Sequence, residues 1–141
     1  MDELPQDVAA LRRVPFFQDL TDQDLLDISK IGERQTFSAG DEIVTKGGEP
    51  DGLYVLLSGA ASVEAGGKHH ELGPGDFLGE MALLGATPRT ATVTATGEVE
   101  TITLKTMSFE PFLMKHPSVA VPILKGVVRR LREVQEQLED G

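Results

Sequence analysis

The chain has 141 residues, no cysteine and a formal net charge of −10. That length fits one domain able to bury its own core, and without cysteine neither a disulfide framework nor a thiolate metal site is available. So acidic a chain lacks the basic surface that neutralises nucleic-acid phosphates, which argues against nucleic acid as a partner. The apolar stretch 119–128 is interrupted by Pro122, Lys125 and Gly126, and a membrane span needs about 18 uninterrupted apolar residues. A soluble cytoplasmic protein without a membrane span is expected, and the opening Met1 with the acidic tail points to a complete small protein.

Residues 7–13 carry a short helical pattern, and Pro15-Phe16-Phe17 follows as a break with two large side chains that need burial. A second helix is better marked: Thr21 is an N-cap with Asp24 at the capping-box position, and Leu25, Ile28 and Ile31 recur at near-helical spacing. From Gln35 to about Leu104 the texture changes to short apolar or β-branched runs punctuated by Gly, Pro and Asp, the pattern of a strand-rich barrel or sandwich. Gly40-Asp41 and Gly75-Asp76 sit in similar contexts, Ala-Gly-Asp-Glu-Ile and Pro-Gly-Asp-Phe-Leu, each with an apolar residue close behind that can begin a strand. Residues 53–58 and 61–64 read as successive strands around a Gly turn, and 91–95 and 99–104 alternate.

One segment interrupts this texture. Residues 80–84, Glu-Met-Ala-Leu-Leu, are helix formers without β-branching, so a short helix is expected inside the β region. Gly79 opens it and Arg89 follows it. The backbone N–H groups at such a helix start favour an anion, and the guanidinium of Arg89 can offer paired hydrogen bonds to two phosphate oxygens. Glu80, an acceptor when ionised, suits a hydroxyl such as a sugar 2′-OH. The ligand implied by these residue types is a ribose phosphate.

After Met107 the pattern turns helical again, with Pro111 tolerable in a first turn and His116-Pro117 ending that segment. A longer helix follows in which Leu124, Val127 or Val128, Leu131, Val134 and Leu138 recur three or four apart. This stripe has two readings, packing on the barrel of the same chain or pairing with the same helix of a second copy. A monomer is the expected state, because the stripe is short for an independent coiled coil.

The run Phe77-Leu78-Gly79-Glu80-Met81-Ala82-Leu83-Leu84, with Thr87-Pro88-Arg89-Thr90-Ala91, resembles the phosphate-binding cassette of cyclic-nucleotide-binding domains, and the resemblance extends from about Leu11 to Leu138. It implies an α+β, mainly β fold: a double-stranded β-helix, or jelly-roll-like β-roll, with short N-terminal helices, a short phosphate-binding helix and C-terminal helices. The single domain then divides into N-terminal helices (1–34), a β-roll (35–106) holding the cassette (77–93), and C-terminal helices (107–141). The ligand implied is a 3′,5′-cyclic nucleotide, cAMP or cGMP or both, with no other cofactor. Gly79 and Glu80 would meet the ribose and Arg89 the cyclic phosphate. Backbone N–H groups around Met81, Ala82 and Thr90 would complete the cradle. A threonine at the place of Thr90 often accompanies tolerance of, or preference for, cGMP in that family, and some cAMP-responsive members carry it too.

The resemblance also implies a C-terminal lid over the base, for which Arg129, Arg130, Arg132 and Gln135 are the candidates. Rearrangement of the flanking helices would carry the signal to a separate effector protein; a scaffold of the same fold with incidental nucleotide binding is the alternative. A metal reading of His69-His70 is disfavoured, since adjacent strand residues face opposite ways and no nearby cysteine or matching histidine completes a site. Catalysis is not expected: no nucleophile stands beside a histidine, and no ligand cluster marks a metal.

Overall fold

The computed structural model describes residues 6–84 and 88–140. It opens with α1 (Gln6–Arg12), a single 3-10 turn (Pro15–Phe17) and α2 (Asp22–Ile31). The expected cap of α2 is formed: the Thr21 hydroxyl accepts the Asp24 amide at 3.1 Å, and the Asp24 carboxylate accepts the Thr21 amide at 3.1 Å. Two donors that a helix start leaves unpaired are thereby satisfied.

Among the described residues eight strands follow: β1 (Glu33–Phe37), β2 (Glu42–Val44), β3 (Gly52–Ser58), β4 (Ala61–Ala65), β5 (Lys68–Leu72), β6 (Phe77–Leu78), β7 (Thr92–Ala95) and β8 (Val99–Lys105). A short helix, α3 (Glu80–Leu84), interrupts them between β6 and β7, and α4 (Thr106–Lys115) and α5 (Pro117–Asp140) end the chain. The strands form two antiparallel four-stranded sheets, ordered β1-β8-β3-β6 and β2-β7-β4-β5. This is the expected β-roll with its flanking helices. β5 carries no apolar alternation, and four of its five residues are exposed. It forms because the turn at Gly66-Gly67 lays it against β4, with His69 opposite Glu64 and His70 opposite Val63.

The two Gly-Asp turns are built alike. Gly40 has φ +92° and Gly75 φ +88°, a left-handed conformation that costs glycine little. The Asp41 carboxylate accepts the Ser38 amide at 2.8 Å, and the Asp76 carboxylate accepts the Gly73 amide at 2.8 Å. Each turn is also tied to a facing strand by a reciprocal backbone pair, Gly40 and Asp41 to Ala95 and Gly75 and Asp76 to Leu56.

Strand alternation divides the core in two. From β3, Leu53, Val55 and Leu57 face the helices, while Tyr54 and Leu56 face the second sheet. The helical side receives the Phe16 and Phe17 side chains, 2% and 0% exposed. Phe17 lies beside Phe109 of α4, ring centroids 6.1 Å apart. Gly126 lets α5 press against this turn, since a Cβ there would lie 2.9 Å from Phe16 Cα and 3.0 Å from the Pro15 oxygen.

Of the α5 stripe only Val127 packs into that cluster, where Val119 and Ile123 of the same helix, outside the stripe, also lie. Leu124, Val128, Leu131, Val134 and Leu138 are instead exposed. Leu124 and Val128 lie on another side of the helix from Ile123 and Val127, and Leu131, Val134 and Leu138 come after the last residue of α5 that reaches the cluster. No helix of the described residues is long and apolar enough to cross a membrane.

Candidate functional site

A cavity of about 460 Å³ opens between the two sheets and α3, and Gly79, Glu80, Ala82, Arg89 and Thr90 all line it. Concave sites for small ligands commonly run from about 300 to 1,000 Å³. Its opposite wall is apolar, with Val44, Val63 and Val93 among the lining side chains. One side of the cavity therefore presents charge and hydrogen-bonding groups, and the other presents a surface suited to a flat apolar face.

Arg89 is the charged centre. Its side chain is 7% exposed, unusual for an arginine unless it is paired. Nη2 donates to the Asp51 carboxylate at 2.6 Å and to the Gly52 carbonyl at 2.7 Å. The guanidinium carbon stands 5.7 Å from the centroid of the Tyr54 ring, within cation–π range. Nε is buried with no hydrogen-bond partner among the described residues. A buried donor left open on a charged group is costly, and a phosphate oxygen in the cavity would supply its acceptor.

Gly79 makes room for that arginine. It has φ +82°, and a Cβ there would lie 2.2 Å from Arg89 Nη1 and 2.5 Å from the Gly52 oxygen. Space and backbone conformation both exclude a side chain. The same conformation turns the chain out of β6 and into α3, whose residues then follow their helical propensity. The Ala82 N–H closes this turn by donating to the Gly79 oxygen at 3.0 Å. The Met81 side chain lies outside the described residues, as do residues 85–87 of the cassette.

Glu80 projects from α3 with a side chain 12% exposed. Oε1 lies 3.6 Å from Arg130 Nη2 of α5, while Oε2 is buried without a partner among the described residues. Burial raises the Glu80 pKa above the ordinary carboxylate range, and the Arg130 charge partly opposes the rise. Its open oxygen suits a hydroxyl donor. Thr90 is exposed and lies outside any strand, at the cavity rim.

The four lid candidates separate. Arg130 reaches the site through Glu80, whereas Arg129 is turned away and pairs with Asp19 beside the 3-10 turn. Arg132 and Gln135 are exposed on the distal part of α5. His69 stands 3.8 Å from Glu64 on the outer strand pair. Among the described residues no group of three or more His, Cys, Asp or Glu is placed to hold a metal.

Asp51, Gly52 and Tyr54 belong to the site, and the sequence reading missed them. Asp51 grips Arg89 with one oxygen, and its other oxygen accepts the Tyr54 hydroxyl at 2.9 Å. Burial, that hydrogen bond and the Asp51 charge push the Tyr54 pKa up to about 12, with Arg89 pulling it down. The available signal was Tyr54 itself, the only tyrosine in the chain and set within an apolar strand, because a buried tyrosine needs a partner for its hydroxyl. Nothing local tied Asp51 to an arginine 38 positions away.

The sequence profile of the cyclic nucleotide-binding domain matches residues 34–116. The chain is 34% identical to a cyclic nucleotide-gated potassium channel of Rhizobium etli over 83% of its own length and 33% of the channel's. It is 35% identical to a cAMP-dependent protein kinase regulatory subunit of Hypocrea atroviridis over 86% of its own length and 25% of that subunit's. The chain thus spans between a quarter and a third of these relatives. Among solved structures, the N-terminal domain of a transcriptional regulator from Streptomyces coelicolor A3(2) superposes with a TM-score of 0.84 at 32% identity, covering 94% of this chain and 96% of that one.

Proposed function

The chain belongs to the cyclic nucleotide-binding domain family, and we propose that it reversibly binds a 3′,5′-cyclic nucleotide, cAMP or cGMP, and signals by rearranging its flanking helices rather than by turning the ligand over. The observation that carries this reading is Arg89: buried, held by Asp51 and the Gly52 carbonyl, and open at Nε beside a cavity of ligand size. In the bound arrangement Arg89 takes the cyclic phosphate and Glu80 Oε2 accepts the ribose hydroxyl. The base lies toward the apolar wall.

Coupling to the helices follows from Glu80. Its other oxygen already faces Arg130 of α5, so a ligand that fixes the carboxylate favours the arrangement of α5 that keeps Arg130 near it. A ligand shifts such an equilibrium only through a difference in affinity between the two arrangements. Arg130 supplies a contact that can differ.

The test is calorimetric titration of cAMP and of cGMP into the wild type and Arg89→Leu. Charged hydrogen bonds contribute about 1.5–3 kcal/mol each, so losing a paired contact weakens binding by about 100-fold or more. Unchanged affinity in a folded Arg89→Leu protein overturns the proposed site. The exposed edge of α5, including Leu124, Val128 and Leu131, favours a second reading, a docking domain in which nucleotide is incidental. Sizing and pull-down with and without nucleotide separate the two, because a receptor changes its associations with ligand and a passive scaffold does not.

A further inference from the structure

Thr106 is the first residue of α4 and lies between the two arms of the site. Its backbone N–H donates to the Asp51 carbonyl at 3.0 Å, on the segment whose side chain holds Arg89. Its hydroxyl donates to the Ala82 carbonyl of α3 at 2.8 Å. One half-buried residue therefore ties the arginine's anchor and the helix carrying Glu80 to the root of the C-terminal helices.

The sequence of α3 explains why such a tie is needed. A helix of five residues is too short to hold itself, since isolated helices below about 12–15 residues are marginal in water. Within Glu80–Leu84 no residue stands four positions after Ala82 to donate to its carbonyl, and Ala82, 4% exposed, has limited access to water. The Thr106 hydroxyl gives that carbonyl a partner from outside the helix. Leu83 fixes the same helix into the apolar cluster, but apolar packing is non-directional. The hydrogen bond supplies a direction.

We propose that Thr106 is a positioning residue for the nucleotide site: its hydroxyl clasps α3 to the start of α4, setting Glu80 and Gly79 against Arg89 before any ligand arrives. The proposal rests on the cyclic-nucleotide-binding function and adds a residue outside the cavity lining. It also gives α4 a grip on the site that is separate from the Glu80–Arg130 pair. A shift of α4 relative to β8 draws on α3 through this bond.

The variants are Thr106→Val, which keeps the shape and removes the hydroxyl, and Thr106→Ser, which restores it. In the free protein, amide hydrogen exchange of α3 is expected to quicken in Thr106→Val and return toward wild type in Thr106→Ser, with exchange in β3 and β8 unchanged. Affinity for cAMP is expected to fall about tenfold in Thr106→Val, the scale of one lost hydrogen bond to a buried acceptor, and to recover in Thr106→Ser. A general loss of stability would instead quicken exchange throughout the roll.

The clasp is overturned by wild-type α3 exchange in Thr106→Val, or by a serine variant that behaves like the valine one. If Thr106→Val does not fold, Thr106→Ser against Thr106→Ala repeats the comparison. If the wild type binds neither cAMP nor cGMP, the functional reading fails, and exchange in the free protein still decides whether Thr106 holds α3.

Discussion

Gly40-Asp41 and Gly75-Asp76 open β2 and β6 with the same carboxylate-to-amide bond and the same reciprocal backbone pair to a facing strand. Beyond those turns the two segments part. The first continues through Val44, which pairs with Val93, and its Thr45 hydroxyl donates to Glu42 at 2.7 Å near the surface. The second reaches Gly79 at the place of Val44 and Glu80 at the place of Thr45. There the strand ends, the chain turns at φ +82°, and a largely buried acid enters the cavity. The frame is thus used twice, and the site is a departure from it at one glycine.

The largest expected effect breaks that departure. Gly40 and Gly79 both have positive φ, but a Cβ at Gly40 would meet nothing within 4 Å, whereas at Gly79 it would meet Arg89 and the Gly52 oxygen. Gly40→Ala should therefore cost stability alone, about 1–2 kcal/mol for the left-handed conformation, and leave nucleotide affinity unchanged. Gly79→Ala should carry the same strain and also displace Arg89, lowering affinity about 100-fold by the loss of its paired bonds. Chemical denaturation and calorimetry on both variants measure the two effects separately. Equal affinities would show that Gly79 serves only the turn.

A smaller effect comes from the acid at the next position. Folding raises the Glu80 pKa through burial, so the folded chain binds its proton more tightly than the unfolded one. Its contribution to stability is then fully present below the unfolded pKa and is lost as pH rises through the folded value. Affinity should run the opposite way. An ionised acceptor bonds a hydroxyl about twice as strongly as a neutral one, so cAMP binding should weaken, by up to about tenfold, as pH falls through the raised pKa. Glu80→Gln should flatten both trends, and Thr45→Ala should flatten neither. Parallel pH series of denaturation and titration check the signs, and a Glu80→Gln profile that still follows the wild type would remove Glu80 from the ligand contacts.

The fold was legible where periodicity and turn chemistry agree. The Thr21–Asp24 capping box, the paired Gly-Asp turns and the misfit of residues 80–84 each have a local cause, and each appears in the structure. β5 was not legible, because Lys-His-His-Glu-Leu has no buried face and owes its strand to β4. The same distinction holds at the site. Gly79, Glu80 and Arg89 announce themselves by residue type and spacing, whereas Asp51 becomes part of it only when β3 is folded beside α3. The fate of α5 was divided for a related reason: its sequence carries apolar residues on more than one side, and the core covers only Val119, Ile123 and Val127.

The smallest expected effect tests the likeness of the two turns. Asp41→Ala and Asp76→Ala each remove one carboxylate acceptor from one backbone amide, a bond contributing about 0.5–1.5 kcal/mol. Urea unfolding should give the two variants nearly equal losses. Asp76 also stands 3.8 Å from Arg13, an exposed pair whose contribution is small, and repeating the measurement at high salt removes it. Equal losses would establish that the turns are interchangeable supports, with functional difference confined to the segments they lead into. Affinity should then separate the pair: Asp76→Ala loosens the turn from which β6 leads to Gly79, and a reduction of about threefold is expected from a part of that one bond. Asp41→Ala should bind as the wild type does, since β2 contributes only apolar wall to the cavity. An equal change in affinity for both would mean that the roll transmits strain to the site as one body, and that the departure at Gly79 is not isolated from the half that lacks it.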